Sequence, residues 1–413
     1  MSGFLVGHAA HPDWRAALAL AGAQIEAGRA AHDSSAAGPL SLGFVYFTDH
    51  YAAHAEALLA ELRLRWPGLA WVGSVGVGVA AGAAEYIDEP ALALMLAALP
   101  VGRFEVFSGA RKLHRIEPYS ALVHADPTTA DLAELISEMS DRTASGYLFG
   151  GLASSRGPAL HIADGVWRGG LSGVAFSSDV ALISRVTQGC QPVGPSRSVT
   201  ACERNIALEL DGEPALACLL HDLKLAPQQD PRAALPQLRG TLVGLTDVRD
   251  SALAVPGRLG GQFGTDTRVR HLIGLDPQRQ AVAVAELLQP GQRLAFCQRD
   301  VQAARRDLIR ICSEIRDEVE TQAEAALQPA AASLEEPSRR ILGALYISCA
   351  GRGGPHFGGP SAELKIVQHA LAASGGGTVP LVGFFAAGEI ARHHLYGYTG
   401  VLTVFTGSAA GGA

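Results

Sequence analysis

Apolar and polar residues alternate along the first part of the chain in a pattern that predicts strands separated by helices. Residues 4–9 and 42–47 are short apolar runs, which are typical of buried strands. Between them, residues 13–30 carry apolar side chains at helical spacing and predict a helix with one buried face. Residues 69–75 predict a further strand that enters a glycine-rich turn. This order predicts a mixed α/β fold (mixed α+β), in which helices cover mixed β-sheets.

Three predicted strands end in glycine-containing turns, around Gly73, Gly150 and Gly383. The recurrence indicates either a degenerate internal repeat or the usual punctuation of an α/β chain, because glycine accounts for 48 of the 413 residues. Residues 159–210 predict successive short strands, as in an antiparallel sheet.

The second half of the chain follows a polar segment. Residues 224–237 contain three prolines and predict a linker. Residues 300–328 carry an apolar stripe without a steady heptad, which favours a long helix covering a sheet over a coiled coil. Residues 341–347 and 379–385 then predict strands that lead into glycine-containing segments.

Composition narrows the class of protein. A chain of 413 residues is long for one hydrophobic core, so two domains or two fused modules are expected. The net charge is −7 and no basic cluster is evident, so a nucleic-acid surface is not expected. There is no secretory leader or membrane-spanning apolar stretch, so we expect a cytoplasmic protein without membrane insertion. Six scattered cysteines, without metal-ligand spacing, predict free thiols.

The loop that follows residues 341–347 is the first candidate site. It begins at Cys349 and includes Arg352 and Gly353, at the strand-to-helix position where open α/β sheets place binding crevices. Its backbone amides are suited to an anion, and Arg352 is suited to a ligand carboxylate. The alternative is that Arg352 pairs with an acidic neighbour while the glycines only turn the chain.

Glu389 is the second candidate, just after the apolar strand that contains Gly383. If Arg352 and Glu389 meet, they are suited to hold the two ends of an amino acid. Alternatively, they neutralise each other as a buried ion pair.

Two further kinds of chemistry have the necessary residues. Cys349, His356 and Glu389 supply the residue types of a thiol triad, although a cysteine at a strand end is commonly a small buried apolar residue. His393 and His394 follow Glu389 closely, and a histidine there has the chemistry of a haem axial ligand. No cofactor is firmly expected from the residues themselves.

Two strings near the C-terminus resemble the C-terminal module of the FIST (F-box and intracellular signal transduction) family. They are Ser-Cys-Ala-Gly-Arg-Gly at 348–353 and Gly-Phe-Phe-Ala-Ala-Gly-Glu-Ile at 383–390. Residues 188–194 resemble the segment that closes the N-terminal FIST module, and Gly73-Ser74 and 150–154 resemble its glycine-rich strand ends. The resemblance therefore predicts an N-terminal module at 1–223, a linker at 224–237 and a C-terminal module at 238–413.

The resemblance implies a stand-alone intracellular sensory protein, rather than an enzyme. It is expected to bind a small molecule such as an amino acid and to signal through a separate partner protein. Haem-based nitric-oxide sensing upstream of a histidine kinase is the alternative that some relatives suggest, and a thiol-dependent enzyme using Cys349 is another. The predicted ligand-binding positions are Cys349, Arg352, Gly353, Gly383, Gly388, Glu389, Ser74, Gly150 and Gly151.

Overall fold

The structure is a computed structural model and describes residues 3–31, 38–225, 237–247, 267–326, 339–372 and 377–408. The chain forms two compact units that alternate along the sequence. The first contains 1–187, 307–395 and 399–413, and the second contains 188–306 and 396–398. Most of the expected linker, 226–236, lies outside the described residues, so the division into modules 1–223 and 238–413 stays a prediction.

The first unit opens with two runs of strands and helices. The first run comprises β1 (Phe4–Ala10), α1 (Trp14–Ala31), β2 (Leu42–Thr48), α2 (Ala55–Arg65), β3 (Ala70–Gly76), β4 (Gly78–Ala81), β5 (Ala84–Ile87) and β6 (Ala91–Ala97). The second run comprises β7 (Phe104–Phe107), β8 (Ser120–Ala125), α3 (Leu132–Asp141), β9 (Tyr147–Leu152), β10 (His161–Ala163), β11 (Val166–Trp167) and β12 (Leu171–Phe176).

A third run is interrupted by the second unit. Its first strand is β13 (Leu182–Gln188). The second unit then contributes β14 (Cys190–Pro192), β15 (Arg197–Glu203), β16 (Ile206–Leu210), β17 (Glu213–Pro214), α4 (Ala215–Asp222), β18 (Thr241–Thr246), β19 (Arg268–Asp276), β20 (Ala281–Val284) and β21 (Arg293–Arg299). The third run resumes with α5 (Val301–Ala326), β22 (Arg339–Cys349), α6 (Ala362–Leu371), β23 (Leu381–Ala386), β24 (Glu389–Ala391), β25 (His394–Tyr396) and β26 (Thr399–Ser408).

These elements confirm the mixed α/β fold. The predicted helix at 13–30 forms as α1, where Ala17, Leu18 and Ile25 are buried in one cluster with the side chains of β2. The predicted long helix forms as α5, with Leu308, Ile311 and the rest of its apolar stripe buried. A helix with one buried stripe gains its stability from packing rather than from intrinsic propensity.

Three six-stranded sheets of the first unit share one strand order, so the recurrence of glycine-ended strands is an internal repeat. The orders are β1-β6-β2-β3-β10-β11, β7-β12-β8-β9-β24-β25 and β13-β26-β22-β23-β4-β5. In each sheet the central two strands are parallel, namely β2 and β3, β8 and β9, or β22 and β23. An antiparallel strand lies on either side of each parallel pair.

The three repeats exchange hairpins in a cycle. The hairpin β4–β5 of the first repeat pairs with β23 of the third, and β24 of the third pairs with β9 of the second. The second repeat returns β10–β11 to β3 of the first. This exchange corrects the expectation of one antiparallel sheet over 159–210, because those short strands are divided among several sheets. Hydrophobic pattern identifies strands, but it does not specify partners that lie far away in sequence.

The recurring glycine has a steric cause. Gly73, Gly150 and Gly383 lie in the second strand of each parallel pair, in register with a residue of the first strand. A Cβ atom would lie 1.7 Å from Val45 O at Gly73, 1.9 Å from Val123 O at Gly150 and 1.7 Å from Tyr346 O at Gly383. The close backbone approach therefore requires glycine at all three positions.

The second unit contains an eight-stranded sheet in which the strand pairs with a described register are antiparallel. Helix α4 contributes Leu216 and Leu219 to a core shared with Val243, Val282 and Phe296 of that sheet. This arrangement buries the apolar side of α4 in the manner expected of a helix on a sheet.

Candidate functional site

Arg352 follows the end of β22 and is fully buried. Its Nε and Nη2 atoms donate to Glu363 Oε1, in the first turn of α6, at 3.1 and 2.9 Å. Tyr346 Oη donates to the same oxygen at 2.6 Å, and Ser348 Oγ lies 3.1 Å from both carboxylate oxygens. Glu363 thus forms an ion pair with Arg352, and Tyr346 and Ser348 complete the hydrogen bonding of its carboxylate. The sequence suggested an acidic neighbour for Arg352 but did not identify Glu363.

Glu389 begins β24 and is also fully buried. Its Oε2 atom accepts from Thr399 Oγ1 at 2.6 Å and from Thr399 N at 3.2 Å. Its Oε1 atom is buried and accepts no hydrogen bond from a nitrogen or oxygen of the described residues. Burial raises the pKa of Glu389 to about 8, although Thr399, Arg352 and Cys349 each act to lower it. The carboxyl group is therefore mostly protonated at neutral pH.

Cys349 is the last residue of β22 and is partly exposed. It lies in register with Ala386 of β23, and the adjoining pair Ser348 and Gly400 places it beside Thr399 of β26. Cys349 is one of the neighbours that act to lower the pKa of Glu389. The structure therefore brings Cys349, Arg352 and Glu389 together, as their positions at two strand ends suggested.

The glycines that were predicted to bind a ligand lie around this cluster, at closely packed positions. Gly151 pairs with Glu389 across β9 and β24, and Gly388 O accepts a hydrogen bond from Leu152 N at 2.8 Å. At Gly353 a Cβ atom would lie 2.8 Å from Ile87 Cδ1. Close packing explains these glycines, and their contact with a ligand stays a prediction.

Ser74 lies in another sheet. It is buried, pairs with His161 across β3 and β10, and donates to Val75 O at 3.1 Å. Its equivalent in the third repeat, by register, is Phe384, which pairs with Val79. Ser74 is therefore related to the cluster by the repeat, and its role in binding stays a prediction.

A cavity of about 560 Å³ adjoins the loop that follows Arg352. It is lined by Glu85, Ile87, Glu89, Gly354, Gly358, Gly359, Pro360 and Ser361. Glu85 Oε1 accepts from Leu364 N at 3.0 Å, and Ser361 Oγ accepts from Glu85 N at 3.0 Å, so β5 and the start of α6 are joined here. Sequence inspection missed Glu85 because its strand pairs with β23 only through the hairpin exchange.

The carboxyl group of Glu85 has a raised pKa. Its Oε2 atom is buried and has no hydrogen-bond partner among the residues that the structure describes. Burial raises the pKa of Glu85 to about 6, despite the Leu364 amide that stabilises its charged form, and nearby Glu363 raises it further. Glu89 adds a second carboxylate to the lining.

The repeats place different residues at positions equivalent to Cys349 and Glu389. In each sheet, the residue equivalent to Cys349 is the third after the residue in register with the recurring glycine. It is Thr48 in the first repeat and Asp126 in the second. The hairpin pairings put Val79 and His161 at the position of Glu389. This pair of equivalent positions is thus threonine and valine in the first repeat, aspartate and histidine in the second, and cysteine and glutamate in the third.

The second of these pairs lies near a buried polar group that sequence inspection also missed. His161 Nδ1 lies 2.6 Å from Ser172 Oγ, and burial lowers the pKa of His161 while Asp126 opposes that shift. His124 is fully buried with Nε2 at 3.2 Å from Tyr46 Oη, and burial lowers its pKa to about 3. These residues come from separate strands, so no local motif marks them.

Of the predicted haem histidines, His393 lies in the turn after β24 and His394 is the first residue of β25. His393 is exposed, and its ring centroid is 3.9 Å from that of His394. Neither residue lines the cavity beside Arg352. An axial histidine needs an enclosed pocket for the porphyrin. Haem ligation by His393 or His394 stays a prediction.

The described residues lack two features. Within them, no group of three or more His, Cys, Asp or Glu side chains is arranged to hold a metal ion. No helix in the described part of the chain has the length and apolar character needed to cross a membrane.

Comparison with known proteins agrees with this architecture. The family model of the FIST N domain matches residues 41–213, and that of the FIST C domain matches residues 215–392. This chain belongs to the FIST family. FIST domains are associated with sensory roles in signal transduction.

Two mycobacterial relatives align along nearly the whole chain. The uncharacterized protein Rv0628c of Mycobacterium tuberculosis strain H37Rv is 30% identical over 420 residues, covering 97% of this chain and 98% of the relative. The uncharacterized protein Mb0898c of Mycobacterium bovis is 30% identical over 427 residues, with the same coverage. The FIST domains themselves are matched between residues 41 and 392.

Proposed function

We propose that this FIST protein is a sensor that binds a small molecule bearing an ammonium group, such as an amino acid, in the cavity beside Glu85. The observation that carries the proposal is the buried, unpartnered Oε2 atom of Glu85 in a cavity of about 560 Å³. A buried carboxylate oxygen without a partner is costly, and a bound ammonium group would satisfy it. Glu363, which is paired with Arg352, directly precedes Leu364, whose amide donates to Glu85.

A thermal-shift screen tests this proposal. Amino acids, the corresponding decarboxylated amines and the corresponding amine-free acids are added to the full chain. A ligand at about 100 times its dissociation constant should stabilise the folded state by about 2.7 kcal/mol. We expect stabilisation from members that carry an ammonium group and none from amine-free acids.

Two variants locate the site. Glu85→Gln keeps an oxygen that can accept from Leu364 N but removes the charge, so ligand stabilisation should be lost. Glu89→Gln removes the exposed carboxylate of the same cavity and should reduce stabilisation only slightly. If no member of the panel shifts the melting temperature, or if Glu85→Gln responds like the unaltered chain, the proposed site is wrong.

The output of the sensor is proposed to pass to a separate protein, such as a histidine kinase. The support is the association of FIST domains with signal transduction. Cross-linking in the source cells with and without the ligand found in the screen tests this step. A partner captured equally in both conditions would contradict ligand-dependent signalling.

A further inference from the structure

We propose that a cavity beside α3 is a binding site for a small phosphate monoester with an apolar body. The cavity has a volume of about 270 Å³ and shares no lining residue with the cavity beside Glu85. Ligand pockets usually measure about 300–1,000 Å³, so this volume favours a small ligand. The site is a second one, and it does not depend on the ligand proposed for Glu85.

The cavity lies where the second repeat differs from the other two. The segment between the first two strands of a repeat contains α1 in the first repeat and α5 in the third. In the second repeat this segment is 108–119, all of it described, and none of its residues is helical. In the first repeat α1 lies against α2, since a Cβ atom on Gly22 would lie 2.3 Å from Arg65 Cζ. The second repeat instead has residues 107–113 and the cavity beside α3, the helix that corresponds to α2.

The segment at the cavity is fixed to β7 by hydrogen bonds. Glu105 is buried, and its Oε2 atom accepts from Arg115 N at 2.8 Å and from His114 N at 3.2 Å. Ser108 N donates to Arg111 O at 2.9 Å, and Arg111 N donates to Ser108 O at 3.0 Å. The wall of the cavity is therefore formed before a ligand arrives, which lowers the cost of binding.

Part of the lining is apolar. Phe107 and Met139 are buried in the core cluster of the second repeat, and Leu113 and Leu171 pack against that cluster. These four side chains favour an apolar group on the ligand, because its contact with them removes apolar surface from water.

Ser108 supplies a polar group without a partner. The residue is 7% exposed, and its Oγ atom has no hydrogen-bond partner among the residues that the structure describes. A buried hydroxyl in this state is unfavourable, and an oxygen of a ligand would accept its hydrogen. Because Ser108 lines the cavity, its hydroxyl points to a ligand that carries a hydrogen-bond acceptor.

The charged part of the lining favours an anion. It consists of three cations, Arg111, Lys112 and Arg142, and one carboxylate, Glu138. Arg142 Nη2 donates to Glu138 Oε1 at 2.6 Å, and Arg111 Nη1 donates to Asp164 Oδ2 at 3.0 Å. Lys112 is exposed, and within the described ranges its ammonium group has no hydrogen-bond or ion-pair partner. Arg111 keeps further N–H groups besides the one that Asp164 accepts.

A phosphate monoester suits these donors better than a carboxylate does. Its three terminal oxygens can accept from the Ser108 hydroxyl, the Arg111 guanidinium and the Lys112 ammonium, whereas a carboxylate has two oxygens. It also carries a charge of about −1.5 to −2 at pH 7, which strengthens its attraction to the cations. The ester group then lies against the apolar part of the lining.

The test is binding of phenyl phosphate to the full chain, measured by equilibrium dialysis and the absorbance of the phenyl group. Competition by inorganic phosphate, phenol and phenylacetate gives their affinities at the same salt concentration. We expect each competitor to bind at least about 10-fold more weakly than phenyl phosphate, because each lacks the apolar body or the phosphate group. No binding of phenyl phosphate, or equal affinity for any of the three competitors, would overturn the proposal.

Two variants locate the site. Ser108→Ala removes the hydroxyl and should weaken phenyl phosphate binding at least about 10-fold, since hydrogen bonds to charged groups are the strong ones. Lys112→Gln removes an exposed charge and should weaken binding by a similar factor at low salt. Lys224→Gln is the matched control, because Lys224 is also exposed and lies outside the lining.

The control variant should bind phenyl phosphate like the unaltered chain. If Ser108→Ala does not fold, Lys112→Gln decides, because its side chain is exposed and has no partner to lose. An unchanged affinity in either folded variant, or an equal loss in Lys224→Gln, would overturn the assignment of the site.

Discussion

Glu363 and Glu389 are both fully buried carboxylic side chains near Arg352, yet they have different surroundings. Arg352, Tyr346 and Ser348 all bond to Glu363. Glu389 has Thr399 on one oxygen and no nitrogen or oxygen donor of the described residues on the other. The comparison teaches that the single buried cation, Arg352, stabilises the charged form of Glu363, whereas Glu389 remains able to exchange a proton.

The largest expected effect comes from breaking the closed network. Glu363→Ala leaves Arg352 buried without its ion-pair partner and should lower the free energy of unfolding by about 3–5 kcal/mol. Glu389→Gln replaces a mostly protonated carboxyl group with a neutral amide of similar shape and removes the cost of keeping that group protonated, so it should not lower the free energy of unfolding at neutral pH. Denaturant unfolding of both variants measures the difference, and equal losses would contradict the contrast.

The next effect concerns the backbone that holds the two carboxyl groups in place. Gly383→Ala puts a Cβ atom 1.7 Å from Tyr346 O and should lower the free energy of unfolding by about 3 kcal/mol through forced backbone shifts. Gly359→Ala is the matched control, because no atom lies within 4 Å of the added Cβ and its φ is not in the left-handed region. Thermal or denaturant unfolding measures the stability of both variants. Equal stability of Gly383→Ala and Gly359→Ala would refute the steric account.

The smallest effect, expressed per pH unit, is a pH dependence of stability. Glu389 has a pKa of about 8 in the folded chain and about 4.5 as its ordinary value, so the folded state binds more protons between these limits. Its contribution is fully present below about pH 4.5 and is lost as the pH rises through about 8, at no more than about 1.4 kcal/mol per pH unit.

His124 acts in the opposite sense, which decides how this prediction is measured. Burial lowers its pKa to about 3 from 6.5, so its contribution is lost as the pH falls through that range. Subtracting the pH profile of Glu389→Gln from that of the unaltered chain isolates the Glu389 contribution. A difference that does not change between about pH 5 and 8 would refute the raised pKa.

The sequence predicted the local elements well because each has its own pattern. The stripe of α5 and the apolar run of β22 are readable within a short window. The C-terminal strings also led to Cys349, Arg352 and Glu389, which the structure brings together at the ends of adjacent strands.

The missed residues depend on pairing between distant segments. Glu85 reaches the cavity because the β4–β5 hairpin pairs with β23, and His161 reaches β3 by the corresponding exchange. Glu363 was overlooked because an acidic residue in the first turn of a helix usually serves the helix dipole. Its pairing with Arg352 becomes evident only when β22 and α6 are packed.

The titration of Glu389 itself tests the account most directly. Carboxyl carbons of ¹³C-labelled glutamate are followed by NMR in the folded full chain from about pH 5 to 9, with Glu389→Gln identifying the resonance. The account predicts a midpoint near the pKa of about 8 that burial gives this group. A resonance that is already at its ionised position at about pH 5 would show that Glu389 is ionised beside Arg352, and would contradict the account.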